Sequence, residues 1–369
     1  MNEDFLHKKL NDRKQQNSFR QLKFPDDKID FYSNDYLGII KNNLVNPSSV
    51  IGGRSSDILK LGSTGSRLLS GNYELIEETE KLIAKFHEAE SGLIFNSGYD
   101  ANMGLLSCVP QRGDTVIYDY LSHASIRDGV QLSFAASFSF AHNSLDDLDK
   151  KLKIAKGNIF AVTESVFSMD GDVAPLNDII LLCEKYNAHL IIDEAHATGV
   201  VGEKGEGLAQ HLRLQEKCFA RVHTFGKAVG CHGAIIIGSE LLKNYLINFS
   251  RAFIYTTSLP EISIAAIQHA YRIFPQMNDE RRHLRNLIGQ FQNAVIGFEK
   301  LKSNTPIQIV IIPGNDAVKK IADQIQKNNF DVRPIVYPTV PKGSERLRIV
   351  MHAFNTKEEV AVLVDLLKS

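Results

Sequence analysis

Several things are missing from this sequence, and each absence removes a class of function. There is no excess of charge: 42 basic and 43 acidic side chains leave a formal net charge of -1, whereas nucleic-acid binders usually carry a basic surplus. The four cysteines (Cys108, Cys183, Cys218, Cys231) form no C-x-x-C pair and no metal-ligand spacing, so they are expected to be reduced core residues, with no metal. No apolar run approaches the ~18 residues of a membrane helix. The opening "MNEDFLHKKL" mixes charges from its second residue and has no apolar signal core. These absences predict a soluble, cytoplasmic protein with neither nucleic acid nor membrane as partner.

A phosphate loop is also absent. Asp193 and Glu194 begin "DEAH", which reads as the box of a nucleic-acid-dependent ATPase only beside a G-x-x-x-x-G-K-[ST] loop. Gly226-Lys227 is followed by Ala228, so that reading fails.

What is present is an ordinary globular composition, 43% apolar and 23% charged over 369 residues, enough for two domains. Residues 3–22 read as a basic amphipathic arm, followed by the extended "KIDFYSNDYLG". From about residue 75, helical periodicity ("YELIEETEKLIAKFHEAE") alternates with short apolar strands: "GLIFNS", "DTVIYD", "NIFAVTES", "AHLIIDEAH", "ARVHTFG" and "HGAIIIGS". Such alternation predicts an α/β fold with a mostly parallel sheet covered on both faces, whose function gathers beyond the strands' carboxyl ends. A long helical stretch over about 262–300 leads to "PIQIVIIPG", a helix near 316–328, "DVRPIVYP", "RLRIVMH" and a last helix. The expected organisation is an arm (1–40), a large domain (41–265) and a small α+β C-terminal domain (266–369).

Five stretches carry candidate chemistry. "HTFGKAVG" sets Lys227 among glycines and small apolar residues, a setting that removes water from an amine. "HLIIDEAHATG" puts Asp193 at a strand's carboxyl end, where the lesser alternative is a cap on the next turn. "FNSGYDANMGLL" starts a helix at Ser97-Gly98, either a plain N-cap or an anion site built from free N–H groups. "DYLSHASIRDG" holds His123 in a strand–helix loop, where it could cap, pack or stack on a flat ligand. The loop "GSTGSRLLSGN" around Arg67 is a close approach to a ligand or simply a flexible turn. Together, a lysine for a Schiff base, a carboxylate for a pyridine nitrogen, an anion site and a stacking ring are what pyridoxal 5'-phosphate requires. Their order fits the aspartate-aminotransferase-like, fold type I cofactor enzymes.

The sequence resembles the α-oxoamine synthase family. The likeness rests on "FYSNDYLG", "LSHAS", "FAHN", "VTESVFSMDGD", "IIDEAHATGVVGEKGEG", "HTFGKAVG", "IYTTSLP" and "PTVPKGSERLRI", from about residue 30 to residue 350 in the family's order. The resemblance implies that Lys227 bonds the cofactor and serves as acid and base at the substrate's α-carbon. Asp193 would pair with the ring nitrogen, His196 with the phenolic oxygen, and His123 would stack on the ring. Gly98 and Tyr99, behind Ser97, would offer N–H groups to the phosphate, helped by Thr224 and, from a second subunit, Thr256 or Thr257. Ser168 would lie near the ring, Asn34 and Arg346 would face the amino acid, and Arg20 of the arm would help receive the acyl donor.

The implied activity is a decarboxylative acyl transfer from a thioester, on coenzyme A or an acyl carrier protein, to an amino acid. The implied assembly is a homodimer. "SHAS", "FAHN" and "VFSMDGD" look most like the members that join L-alanine to a pimeloyl thioester in biotin synthesis. Glycine C-acetyltransferase, serine palmitoyltransferase and a non-catalytic relative are the alternatives. Two departures bear on substrate choice: Thr64 replaces an expected glycine, and His352 stands where a small or hydroxyl residue is expected.

Overall fold

The computed structural model describes residues 2–22, 24, 27–46 and 59–368, and the chain divides into two compact units. One gathers Met1–Tyr36, Met169–Asp172 and Arg282–Ser369; the other holds Leu37–Ser168 and Val173–Arg281. The first opens with helix α1 (Asp4–Gln15), shorter than the periodicity of residues 3–22 suggests, and strand β1 (Ile29–Asp30). Helix α1 buries no residue, and Asn17 just beyond it turns left-handed (φ 48°), a conformation that asparagine tolerates at helix ends.

The second unit alternates helix and strand: α2 (Glu74–Phe86), β2 (Ser91–Phe95), α3 (Gly98–Cys108), β3 (Thr115–Asp119), α4 (Ala124–Leu132), β4 (Ala136–Phe140), α5 (Leu145–Ile154), β5 (Ile159–Glu164), α6 (Leu176–Tyr186), β6 (Ala188–Asp193), a short turn α7 (Leu208–His211), β7 (Ala220–Thr224) and β8 (Ala234–Gly238). The strands form one seven-stranded sheet in the order β2-β8-β7-β6-β5-β3-β4. Only β8 runs antiparallel to its neighbours. Strands such as "IFAVTE" and "AIIIG" read as nearly unbroken apolar runs because helices cover the sheet on both sides. Leu93, Leu105, Val116, Ile126, Val162, Ile191, Val222 and Ile236 lie in the resulting core. Strand β4, "ASFSF", escapes a search for apolar runs because it lies at the sheet edge with its first three residues exposed.

Three helices follow, α8 (Glu240–Phe249), α9 (Arg251–Ile254) and α10 (Glu261–Ile273), before a 3₁₀ turn at Phe274–Gln276. The long stretch expected over 262–300 is therefore two helices, since Pro275 has no N–H to continue the first. The second is α11 (Asn278–Asn293).

The first unit resumes with β9 (Glu299–Lys300), β10 (Ile307–Ile311), α12 (Asn315–Lys327), β11 (Phe330–Asp331), β12 (Arg333–Ile335), β13 (Arg346–Val350) and α13 (Lys357–Leu366). An antiparallel sheet runs β12-β13-β10-β9, while β11 pairs in parallel with β1. This is the expected small α+β layer, and the N-terminal segment is sewn into it. Val350 N–H donates to Phe31 O at 2.7 Å and Ala353 N–H to Tyr36 O at 2.8 Å. Among the described residues no helix is long and apolar enough to cross a membrane, and all four cysteines are free thiols.

Candidate active site

In the second unit, the strand ends converge on Asp193, the last residue of β6 and buried. Its Oδ1 accepts the Ala195 N–H at 2.8 Å and its Oδ2 the Asn102 side-chain amide at 2.7 Å. Two donors fix the carboxylate's plane. Asn102, buried on α3, also reaches Ser125 Oγ at 3.0 Å. Asn102 was not singled out in the sequence; only its position four residues after Gly98, one helical turn inside, hints at its inward face.

His123 precedes α4 and caps it: Ser125 N–H donates to its Nδ1 at 3.2 Å, and Ser125 Oγ lies 2.8 Å from the same nitrogen. A nitrogen that accepts carries no proton, so the neutral ring is protonated at Nε2. Burial lowers the pKa of His123, the Asp193 charge opposes this, and Lys227 reinforces it. The imidazole is thus a neutral, oriented ring at neutral pH. Its own backbone N–H donates to Glu164 Oε1 at 2.5 Å. Glu164 ends β5 and is the register partner of Asp193 on β6. It too escaped sequence reasoning, although a carboxylate closing the apolar run "IFAVTE" repeats the pattern that singled out Asp193.

Ser97 caps α3, its Oγ accepting from Asp100 N–H at 3.0 Å. The next amides, Gly98 and Tyr99, have no acceptor within the helix. A Cβ on Gly98 would stand 3.6 Å from Thr224 Oγ1 and 3.7 Å from Thr224 Cβ, so the helix start lies against the end of β7. Tyr99 is 41% exposed and pairs through its hydroxyl with Asp128. Asn96 donates to Thr256 Oγ1 and to Thr257 O, both at 2.9 Å, so both threonines adjoin this helix start within one chain.

Lys227 lies in the turn after β7 and is half-buried, with Gly226 exposed beside it. The enclosure expected on both sides comes from one side only. Gly230 (φ +64°) accepts no side chain, because a Cβ there would meet Ile39 Cγ2 at 2.6 Å. Lys227 acts electrostatically on both His123 and Glu164, which places its amine among the strand ends. His196 is buried three residues after Asp193, and Ser168 is half-buried after β5. Arg67 is spent on structure, pairing with Glu80 (2.7 Å) and Asn72 (2.6 Å).

In the first unit the two arginines of "RLRIV" divide. Arg346, expected to face the amino acid, is buried in a pair with Asp170 and donates to Ser344 O at 2.8 Å. Arg348, two residues further along the same strand face, is the one that reaches Asn34 Oδ1, at 3.1 Å. The reason is register: the segment Phe31–Asn34 joins β13 at Val350, beyond Arg346. Arg20 donates to Thr339 Oγ1 at 3.1 Å. His352 is fully buried, bonded to Ser33 and Asn355 and stacked on Phe354 at 4.6 Å, a clamp on the Asn34 segment.

The second unit's residues fit pyridoxal 5'-phosphate. The half-buried amine of Lys227 suits an aldehyde, and the buried Asp193 carboxylate suits a protonated ring nitrogen. The helix-start amides of Gly98 and Tyr99, beside the Thr224 hydroxyl, suit a phosphate.

Known proteins agree. Residues 26–367 match the family described as aminotransferase class I and II. The chain is 39% identical to 8-amino-7-oxononanoate synthase of Emericella nidulans, covering 98% of this chain and 94% of that one. It is 37% identical to the enzyme of the same name from Lysinibacillus sphaericus, over 92% and 87%. Among solved structures, Sphingomonas wittichii serine palmitoyltransferase superposes with a TM-score of 0.84 at 28% identity, over 92% of this chain and 86% of that one. The 8-amino-7-oxononanoate synthase of Francisella tularensis gives 0.77 at 27% identity, over 93% and 98%. With that geometry and these relatives, the chain belongs to the class I and II aminotransferase family and, within it, to the pyridoxal 5'-phosphate-dependent α-oxoamine synthases.

Proposed function

We propose that this protein condenses L-alanine with a pimeloyl thioester, with loss of CO2, to give 8-amino-7-oxononanoate for biotin synthesis. The observation that carries the reading is near-full-length identity of 39% and 37% to two synthases of that name. When bound, the cofactor supplies an electron sink that makes the amino acid's α-carbon nucleophilic. The chain's residues do the rest. Lys227 holds the aldehyde and then moves the α-proton, a role for which a lysine amine in a partly dry site is suited. Asp193, held by Ala195 and Asn102, keeps the ring nitrogen charged. His123 offers a neutral ring face with its proton on Nε2, and His196 and Ser168 serve the ring's phenolic edge.

Gly98, Tyr99 and Thr224 receive the phosphate, with Thr256 and Thr257 beside them or reaching the site of a second subunit in a homodimer. In the first unit, Asn34 and Arg348 receive the amino acid's carboxylate, while Arg346 supports that strand. Arg20 meets the acyl donor, on coenzyme A or a carrier protein. The reading places the protein in the cytoplasm.

Serine or glycine as amino acid is the second reading, and the fold-level likeness favours it: serine palmitoyltransferase superposes better than the solved synthase, 0.84 against 0.77. Both structures share under 30% identity with this chain, which leaves the choice of substrate to experiment. Purified, cofactor-loaded protein is given alanine, glycine or serine with pimeloyl-, acetyl-, succinyl- or palmitoyl-coenzyme A, and products are read by mass. The 8-amino-7-oxononanoate mass from alanine and pimeloyl-coenzyme A alone supports the first reading. A dominant product from glycine or serine replaces it. Lys227→Ala is the control and yields no product.

A further inference from the structure

Three neighbouring parallel strands each end on a carboxylate buried from water: Asp119 on β3, Glu164 on β5 and Asp193 on β6. Two of the three are well supplied with donors. Asp119 accepts from Leu121 N–H (2.8 Å) and Asn143 N–H (2.9 Å) and lies 2.9 Å from His142 Nδ1. Asp193 accepts from Ala195 N–H and Asn102. Glu164 lies between them in the sheet order and accepts the His123 backbone N–H at 2.5 Å. Register partners with buried carboxyl groups cannot both ionise at small cost, and the proton settles on the member with less support for its charge.

We propose that Glu164 is a positioning residue that holds the single proton of a Glu164–Asp193 pair, so that Asp193 alone offers its negative charge to the cofactor ring while His123 is anchored by a neutral acceptor. The functional half rests on the assignment of Asp193 to the ring nitrogen. Every charged group facing Glu164 fits the division of labour. Burial and then Asp193 on β6 push Glu164 up, to about 8. The His123 N–H and Lys227, from the turn after β7, pull the other way, and Asp119 on β3 adds to the rise. The same site with both carboxylates charged would overcompensate one ring cation and attract a second proton to the ring edge. With Glu164 neutral, one anion faces one cation.

The test begins on cofactor-free protein, by infrared spectroscopy of the carbonyl stretch of protonated carboxylic acids. A band present near pH 6 that disappears around pH 8, and is lost in Glu164→Gln but kept in Glu194→Gln, is the expected result. The second variant is needed because burial also raises the Glu194 carboxyl. No acid band titrating between about pH 7 and pH 9 in the wild type overturns the proposal, and this arm stands even if Glu164→Gln fails to fold. Next, the visible absorption of the loaded protein is followed with pH. The wild type should show a step near pH 8 that Glu164→Gln lacks. Identical profiles in the two proteins overturn the role toward the cofactor. Failure to bind pyridoxal 5'-phosphate at all would instead strike the assignment of the site and leave the infrared result untouched.

Discussion

Arg348 donates from Nη2 to Asn34 Oδ1 at 3.1 Å, and the Tyr36 hydroxyl donates to that same oxygen at 3.1 Å. With its oxygen engaged twice, Asn34 is oriented so that its amide nitrogen is the group left to donate. A guanidinium and an amide donor side by side suit a carboxylate. Losing a charge-assisted hydrogen bond of this kind costs roughly 1.5–3 kcal/mol. Arg348→Ala should therefore raise KM for the amino acid about 10- to 100-fold, with a smaller change in kcat. Arg346→Ala removes the partner of Asp170 and should lower the melting temperature with little effect on KM. Steady-state kinetics on both variants decide it: an equal KM rise in Arg346→Ala would return the carboxylate to Arg346.

Arg281 is 2% exposed, and its guanidinium threads a set of backbone carbonyls. Nη1 donates to Phe274 O (2.7 Å), and Nη2 to Glu203 O and Pro275 O (both 2.9 Å) and to Asn278 Oδ1 (2.7 Å). It pins the loop from Gly199 to Gly207, which follows the Asp193–His196 turn. Removing it leaves several buried acceptors unmet, each costing about 1–3 kcal/mol. Arg281→Ala should lose roughly 3–5 kcal/mol of stability, since the acceptors act as one group and their costs do not simply add. Arg281→Lys should recover little of this, because a compact ammonium cannot span a fork of acceptors. Urea midpoints of the cofactor-free proteins measure both.

The contrast between those two arginines shows what a sequence makes legible. The parallel sheet could be read because both of its faces are buried, which forces near-continuous apolar strands. Lys227, Asp193 and the Ser97-Gly98 helix start could be read because each sits at a strand end with a distinctive neighbour. Asn102 and Glu164 could not: one is a polar residue inside a helix, the other one acid among many. Their meaning depends on a register, Glu164 against Asp193, that exists only after the sheet forms. The two arginines of "RLRIV" share one strand face, so spacing cannot say which of them meets Asn34. Arg281 was invisible because most of its partners are backbone carbonyls, which leave no trace in residue identities.

Thr64 is a departure whose physical content is plain in the backbone. It stands where a glycine was expected and adopts φ +57°, the left-handed region that is unfavourable for β-branched residues by about 1–2 kcal/mol. Its hydroxyl, 3.4 Å from Ser70 Oγ, gives back little. Thr64→Gly relieves the strain at some cost in chain entropy and should stabilise the protein by up to about 1 kcal/mol, read as a higher denaturation midpoint. A lower midpoint would mean that the hydroxyl contact outweighs the strain.

The acid limit of the fold lies in a pair of stacked histidines. His87 and His223 face each other at 3.8 Å between ring centroids, both fully buried. His87 is held by Tyr271 OH and Glu206 O, each at 3.1 Å, and His223 by Thr198 Oγ1 at 2.9 Å. Burial holds both rings well below the ordinary histidine pKa. For His87 the charge of Arg221 lowers it further; for His223, first His87 and then Arg221 do so. The unfolded chain, with histidines near 6.5, therefore binds protons that the folded one refuses. Stability is fully present above about pH 6.5 and falls as the pH drops below it. Glu164 acts in the opposite sense: its carboxyl, held up to about 8 in the fold instead of 4.5, contributes stability that is whole at low pH, declines as the pH rises from about 4.5 to about 8, and changes no further above that. The two effects oppose each other below about pH 6.5, only the Glu164 decline remains from there to about pH 8, and neither group changes stability further above pH 8. Denaturation midpoints of cofactor-free protein at intervals from pH 5 to pH 9 measure the balance. In His223→Asn, whose amide can keep the Thr198 contact but does not titrate, the acid limb below about pH 6.5 should shift in favour of the folded state while the decline between pH 6.5 and pH 8 stays. An unchanged acid limb would move the pH sensitivity to other groups and leave the histidine pair a packing feature alone.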